Sequence, residues 1–205
     1  MWQQIATLMR AAVREPAKTV PAILGLSIPR EARWLGLAAV VVISALATAL
    51  LTMIYGTPTE GASPFSALMS SPLRMAFVQA AGILFIAATM AFVGRSFGGK
   101  GRFEDALLLV VWIEATLLVI QLAQLALALF VFPIFPSGFV VLISSLLGMI
   151  SIILLCVMLV GFVKGLHGFT STPAVLIGMI ATLFGAGTVF MLLLSVLGIA
   201  PVAGV

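Results

Sequence analysis

Long apolar runs fill most of the chain, and polar residues are concentrated in the short segments between them. A run of about 20 apolar residues can cross the roughly 30 Å hydrocarbon core of a bilayer as an α-helix. Five runs reach that length, so the pattern predicts an all-α, polytopic membrane bundle of five transmembrane helices. The predicted spans, which make residues 35–205 one transmembrane domain, are 35–55, 73–93, 106–130, 139–163 and 173–198.

The segment before the first span, residues 1–34, has a different pattern. Its apolar residues recur at the three- and four-residue spacing of one helix face, and the opposite face is polar and includes Arg10 and Arg14. This predicts a short amphipathic helix on the cytoplasmic membrane surface, where basic residues suit anionic head groups. Docking of this helix on a soluble partner is the alternative. Prolines are then expected to break the path to the first span, at Pro16, Pro21 and Pro29.

Charge supports a membrane protein and predicts its orientation. Apolar residues make up 63% of the chain and charged residues only 8%, with a mean hydropathy of +1.33. The ten lysines and arginines lie near the ends of apolar runs, a topology pattern rather than a phosphate-binding face, so no nucleic-acid partner is expected. Nine lie on one side of the predicted spans, which predicts a cytoplasmic N-terminus and a C-terminus outside. Only Arg74 lies near the other side; the nine are Arg10, Arg14, Lys18, Arg30, Arg33, Arg95, Lys100, Arg102 and Lys164.

Reactive side chains are too few for most enzyme sites. With one histidine, one cysteine and one aspartate, the chain cannot assemble a zinc site of the usual His and Cys type or a catalytic triad. We therefore predict no catalytic, metal or cofactor residue. The segment from Gly94 to Lys100 fits the first positions of a phosphate-binding loop, but Gly101 stands where a hydroxyl residue is needed. Its glycines are interpreted as a tight turn between two spans.

One polar stripe lies inside the third span. Glu114 is the only acid well within an apolar run, and Gln121 and Gln124 lie on or near the same helix face. A charged acid near the bilayer centre costs roughly 2.5–3.5 kcal/mol, so Glu114 should face protein or water. Since no basic residue lies at its depth, we expect hydrogen bonds to neighbouring spans, with Gln79 as a candidate partner.

Two further groups of residues are predicted to make contacts. The first group is predicted to lie at the membrane interface and consists of Arg10, Arg14, Trp34, Lys164 and His167. We expect His167 to bond to head groups or to backbone. Small residues recur on one face of the last span and would let another helix approach closely, within the bundle or in a partner. They are Ala174, Gly178, Ala181, Gly185 and Thr188.

Two short segments point to a known family. The first reads G-G-K-G-R-F-E-D-A-L-L-L-V-V-W (Gly98 to Trp112), and the second reads K-G-L-H-G-F (Lys164 to Phe169). Together with the order of elements, they resemble the bacterial branch of the Yip family of Ypt-interacting membrane proteins. The loop residues that carry the resemblance are Gly98, Gly99, Lys100, Gly101, Arg102 and Phe103.

This resemblance implies a helical membrane domain with a cytoplasmic N-terminus, in the inner membrane of a bacterium. Eukaryotic members are associated with Rab-type GTPases through a longer N-terminal region. Because only residues 1–34 precede the first span here, we do not carry GTPase binding over to this chain.

Three classes of function are compared. A non-catalytic protein that associates with membrane lipids and with another integral membrane protein or complex, in a scaffold, assembly or membrane-organising role, accounts for the small-residue face and the few reactive groups. A small transporter or channel would need a polar path, for which the stripe at Glu114 is the candidate. An intramembrane enzyme is the least favoured class.

Overall fold

The computed structural model describes residues 2–55 and 71–196, and every regular element in these ranges is helical. Five helices are long and apolar enough to cross a membrane, which confirms the predicted all-α bundle. Two short helices precede them. The helices are α1 (Trp2–Arg14), α2 (Pro16–Leu24), α3 (Arg30–Tyr55), α4 (Pro72–Ser96), α5 (Phe103–Phe130), α6 (Ser137–His167) and α7 (Thr172–Val196), with a 3-10 turn at Phe132–Ile134.

The helices extend beyond most of the predicted span boundaries. α3 begins at Arg30 rather than residue 35, and α5 begins at Phe103 rather than residue 106. α6 covers Ser137–His167 rather than 139–163. Hydropathy ends a span at its first charged residues, whereas the helical backbone continues through them. The predicted end of the last span, residue 198, lies outside the described residues.

α2 corrects one prediction about the N-terminal segment. Pro16 begins this helix and Pro29 precedes α3, as expected for prolines at breaks, but Pro21 lies inside α2. A proline within a helix removes one backbone hydrogen bond. Val20 and Ile23 are 2% and 0% exposed. Burial of these apolar side chains on both sides of Pro21 stabilises a helix that local propensity alone would not favour.

α1 is the predicted amphipathic helix, and its apolar face contacts protein. Ala12 is completely buried, and the apolar residues on the same face, Ile5, Leu8 and Met9, pack against the core. Arg10 and Arg14 are exposed on the other face. Because α1 contacts α2 and α6, the bundle itself takes much of the surface that was expected to face lipid or a soluble partner.

α2 is held against α6 by two glycines spaced one turn apart. A Cβ on Gly161 would overlap Pro16, and a Cβ on Gly165 would overlap Ala17 and Val20 of α2. Such G-x-x-x-G spacing allows close backbone approach between helices. The N-terminal segment is therefore packed against the end of the bundle at which α6 closes.

α5 is the central helix of the bundle. Every residue from Ala106 to Ile113 is buried, and α5 packs against α3, α4 and α6. Around it, α3 contacts α4, α4 contacts α7, and α7 contacts α6. Among the described residues α3 and α6 share no extended contact, so the ring of helices is open between them.

Candidate functional site

His167 joins three parts of the chain at one end of the bundle. It is the last residue of α6, because Gly168 adopts a left-handed conformation (φ 71°) that ends the helix. The residue is 5% exposed. Nδ1 accepts a hydrogen bond from the Gly101 N–H at 3.1 Å, and Nε2 lies 2.9 Å from the Met90 carbonyl oxygen. Since Nδ1 is the acceptor, the proton is assigned to Nε2, which donates to Met90.

Glycines make room for this ring. A Cβ on Gly94 of α4, or on Gly99 or Gly101 of the loop, would overlap atoms of the imidazole. Gly98 has a φ of 86°, a backbone conformation that residues other than glycine rarely adopt. We call His167 with Gly94, Gly99 and Gly101 the histidine–glycine cluster. It connects α4, α6 and the loop before α5.

His167 is buried in this cluster, so of the two kinds of partner predicted for it, head groups or backbone, the structure shows backbone. Lys164, by contrast, is partly exposed, and its Nζ donates to Thr172 Oγ1 at 2.7 Å. Trp34 is 39% exposed. The glycine spacing indicated a tight turn, but no local signal showed that the turn would enclose a side chain 66 residues away.

A second contact at the same end joins α3 to α5. Arg33 Nη1 donates to the Glu104 carbonyl oxygen at 2.7 Å and to Asp105 Oδ1 at 3.1 Å. Arg33 Nε also donates to the Ile28 carbonyl oxygen at 3.0 Å. The side chains of Arg33 and Asp105 are 13% and 27% exposed, so this ion pair is shielded from water. The first turn of α5 therefore contributes to packing between helices.

The polar stripe of α5 faces the opening between α3 and α6, which we call the polar crevice. Gln121 binds α3: its Oε1 accepts from Ser44 Oγ at 2.7 Å, and its Nε2 donates to Thr48 Oγ1 at 2.8 Å. The carboxyl group of Glu114 lies close enough to Gln79 of α4 for the two side chains to interact, and Gln79 stays its candidate partner. The crevice encloses about 280 Å³, and its polar lining residues are Ser44, Glu114, Gln121, Gln124 and Ser151.

The polar crevice retains unused hydrogen-bonding capacity. Ser144 Oγ is buried without a hydrogen-bond partner, and on α6 it lies on the same face as Gly148 and Ser151, which line the crevice. Between Glu114 and the N-terminal end of α5 lies the apolar and buried stretch from Ala106 to Ile113. Within the described helices the polar groups thus form a pocket in the membrane span rather than a path across it.

The small-residue face of α7 does not pack within the described part of the chain. A Cβ on Gly178 or Gly185 would meet nothing within 4 Å. Gly178 is partly exposed, and the other members of the face, Ala174, Ala181, Gly185 and Thr188, are exposed. Close packing of this face is not observed among the described residues, and packing against a partner stays a prediction. Close approach occurs at Gly161 and Gly165 instead.

Comparison with known families identifies the chain. A family model described as the Yip1 domain matches residues 10–201 of the 205. The chain belongs to the Yip1 family. Comparisons with curated proteins and with solved structures gave no match. The resemblance drawn from Gly98–Trp112 and Lys164–Phe169 is confirmed, and in this Yip1 domain the two segments meet at the histidine–glycine cluster.

Proposed function

We propose that this Yip1-family protein is a non-catalytic membrane protein that acts by association, and that the polar crevice receives a transmembrane helix of a partner. The supporting observation is an open cavity of about 280 Å³ within the membrane span that contains Glu114 and Gln124. Lipid tails offer no hydrogen bonds, so polar groups that open toward lipid are costly. A partner helix with its own polar side chain would satisfy them.

The surroundings of the reactive side chains support a non-catalytic role. Both ring nitrogens of His167 are engaged with backbone atoms. Cys156 is exposed on α6, a membrane-spanning helix, and no group of three or more His, Cys, Asp or Glu side chains in the described ranges could hold a metal ion. Covalent catalysis needs a nucleophile beside a general base. We therefore include no such pair in the proposal.

A small transporter or channel is the second candidate, favoured by the polar lining of the same crevice. Conduction would require the polar groups to continue toward both ends of the bundle. The buried apolar stretch Ala106–Ile113 lies between Glu114 and the N-terminal end of α5. This arrangement supports association over conduction.

The association proposal can be tested by site-specific crosslinking in cells. A benzophenone amino acid at position 148 would lie in the crevice, where a Cβ meets nothing within 4 Å. The matched control is position 150, because Ile150 is 50% exposed and lies about 200° around α6 from Gly148. We expect a discrete crosslinked protein from position 148 only. We also expect Glu114→Leu to remove that product and Glu114→Gln, which keeps the hydrogen bonding, to preserve it.

Equal products from positions 148 and 150, or none from either, would contradict the association proposal. Solute or ion flux through liposomes that contain the purified protein, lost in Glu114→Gln with normal folding, would support the transporter instead. The two candidates therefore predict opposite results for the Glu114→Gln variant.

We further propose that the protein lies in a bacterial inner membrane with its N-terminus in the cytoplasm. The basic residues support this orientation, because many of them belong to α1, α2 and the loop before α5. These elements lie at one end of the bundle. The Arg33–Asp105 ion pair and the Gly101–His167 hydrogen bond join the elements at that end. Short loops rich in lysine and arginine favour the cytoplasmic side.

A further inference from the structure

A second groove, separate from the polar crevice, lies between α4 and α7. α6 contributes Leu159 and Val163 to its lining, and the groove has a volume of about 330 Å³. Most of the lining is apolar, including Ile86 and Met90 of α4 and Met179 of α7. Hydroxyl groups of Thr170 and Ser171 lie at one end, in the connection between α6 and α7.

The groove is about as long as one leaflet of a bilayer is thick. On α4 its lining extends from Phe85 to Gly94, about 14 Å of helix at 1.5 Å per residue, and Phe97 follows directly after the helix. On α7 it extends from Ala174 to Thr182, about 12 Å. Half of the hydrocarbon core is about 15 Å. The groove therefore begins at a loop between helices and extends to about mid-membrane.

A cation that has no acidic partner among the described residues lies at the hydroxyl end. Lys164 Nζ donates to Thr172 Oγ1, directly beside the lining residue Ser171. The ion pairs among the described residues are elsewhere, at Lys18–Glu15, Arg30–Glu104 and Arg33–Asp105. Lys164 can therefore receive an anionic group at the end of the groove. The combination of an apolar channel and a cation with hydroxyl groups at one end is complementary to an anionic amphiphile.

We propose that this groove binds an anionic glycerophospholipid, with one acyl chain between α4 and α7 and the phosphate at Lys164. The apolar lining binds the chain, and the Lys164 charge favours an anionic head group over a zwitterionic one. Thr170 and Ser171 supply hydroxyl donors to the phosphate oxygens. This proposal uses neither Glu114 nor the polar crevice, so it stands independently of the association proposal.

Two substitutions separate the contributions of the acyl chain and the head group. Gly178→Leu extends a side chain into the groove, and because a Cβ there meets nothing within 4 Å, the fold should be retained. Its matched control is Gly185→Leu, on the same helix with equally open space but outside the groove lining. Lys164→Gln removes the charge, and Lys100→Gln, at an exposed loop position, is its control.

Native mass spectrometry of the purified full-length protein with phosphatidylglycerol or phosphatidylcholine would measure binding. We expect the wild type to prefer phosphatidylglycerol by about fivefold, since one basic residue near a lipid surface contributes about 1 kcal/mol and a factor of ten corresponds to about 1.4 kcal/mol. Lys164→Gln should lose that preference, and Gly178→Leu should lose binding of both lipids. Each control should behave as the wild type.

Retention of the preference in Lys164→Gln, or equal binding by Gly178→Leu and Gly185→Leu, would overturn the proposal. Thr182→Leu, which also fills the groove, replaces Gly178→Leu if that variant does not fold. A photo-crosslinker at position 182 should yield a lipid adduct in cells. A discrete protein adduct there instead would assign the groove to a partner helix and reject the lipid.

Discussion

The imidazole of His167 lies where three glycines leave space for it. Its hydrogen bonds to Gly101 and Met90 satisfy backbone groups of the loop and of α4 at the same time. Loss of the ring would leave a buried N–H without an acceptor, which costs about 1–3 kcal/mol. At the scale of single residues, the cluster therefore depends as much on the absence of side chains at three positions as on the histidine.

A pair of glycine substitutions in α4 tests this arrangement. Gly94→Ala should lower the free energy of unfolding by about 1–3 kcal/mol, since its Cβ would overlap the His167 ring. Gly82→Ala should leave stability unchanged or slightly higher, because its Cβ meets nothing within 4 Å and alanine favours helix. Unfolding in mild detergent would measure both. Equal losses in the two variants would show that the ring contact is unimportant.

At the scale of helices, each pair is joined by a different chemistry. α2 approaches α6 through Gly161 and Gly165, whereas α3 is bound to α5 by the Arg33 guanidinium. The periodic pattern predicted the amphipathic helix α1, and hydropathy predicted every span. Neither pattern could predict α2, because a proline such as Pro21 disfavours a helix. The structure shows that burial of Val20 and Ile23 stabilises the helix.

The Arg33 contact can be compared with a neighbouring exposed ion pair. Arg33→Gln should cost about 1.5–3 kcal/mol, as expected for shielded hydrogen bonds of a charged group. Arg30→Gln should cost at most about 1 kcal/mol, because the Arg30 side chain is 68% exposed and its ion pair with Glu104 spans 3.4 Å. Denaturation of both variants in the same detergent gives the difference. An equal cost would mean that Arg33 does not join α3 to α5.

At the scale of the whole molecule, α5 is surrounded by the other spans while α7 is at the edge. Half of the most apolar stretch of α5 is buried, and none of the corresponding stretch of α7 is. The described helices form the polar crevice between α3 and α6 and the apolar groove between α4 and α7, both of which open laterally. Their different linings support different occupants, a polar helix and a lipid.

Orientation is the prediction that concerns the molecule as a whole. A fluorescent reporter active only in the cytoplasm should give no signal at the C-terminus, because five spans place the two ends on opposite sides. The same reporter at the N-terminus is the control and should be bright. Signal from both fusions would contradict a five-span topology with a cytoplasmic N-terminus.

The sequence alone determined the five spans, the amphipathic α1 and the need of Glu114 for a polar partner. Each of these depends on how one segment partitions between water and lipid, a property of the segment itself. Only the tertiary structure decided which glycines allow close contact with other residues and what His167 contacts. Gly178 and Gly185 have open space around them, whereas Gly94, Gly99 and Gly101 are crowded by other residues. The sequence alone does not distinguish these two groups of glycines. They differ because distant backbone approaches only some of them, and that approach is set by the packing of all the helices together.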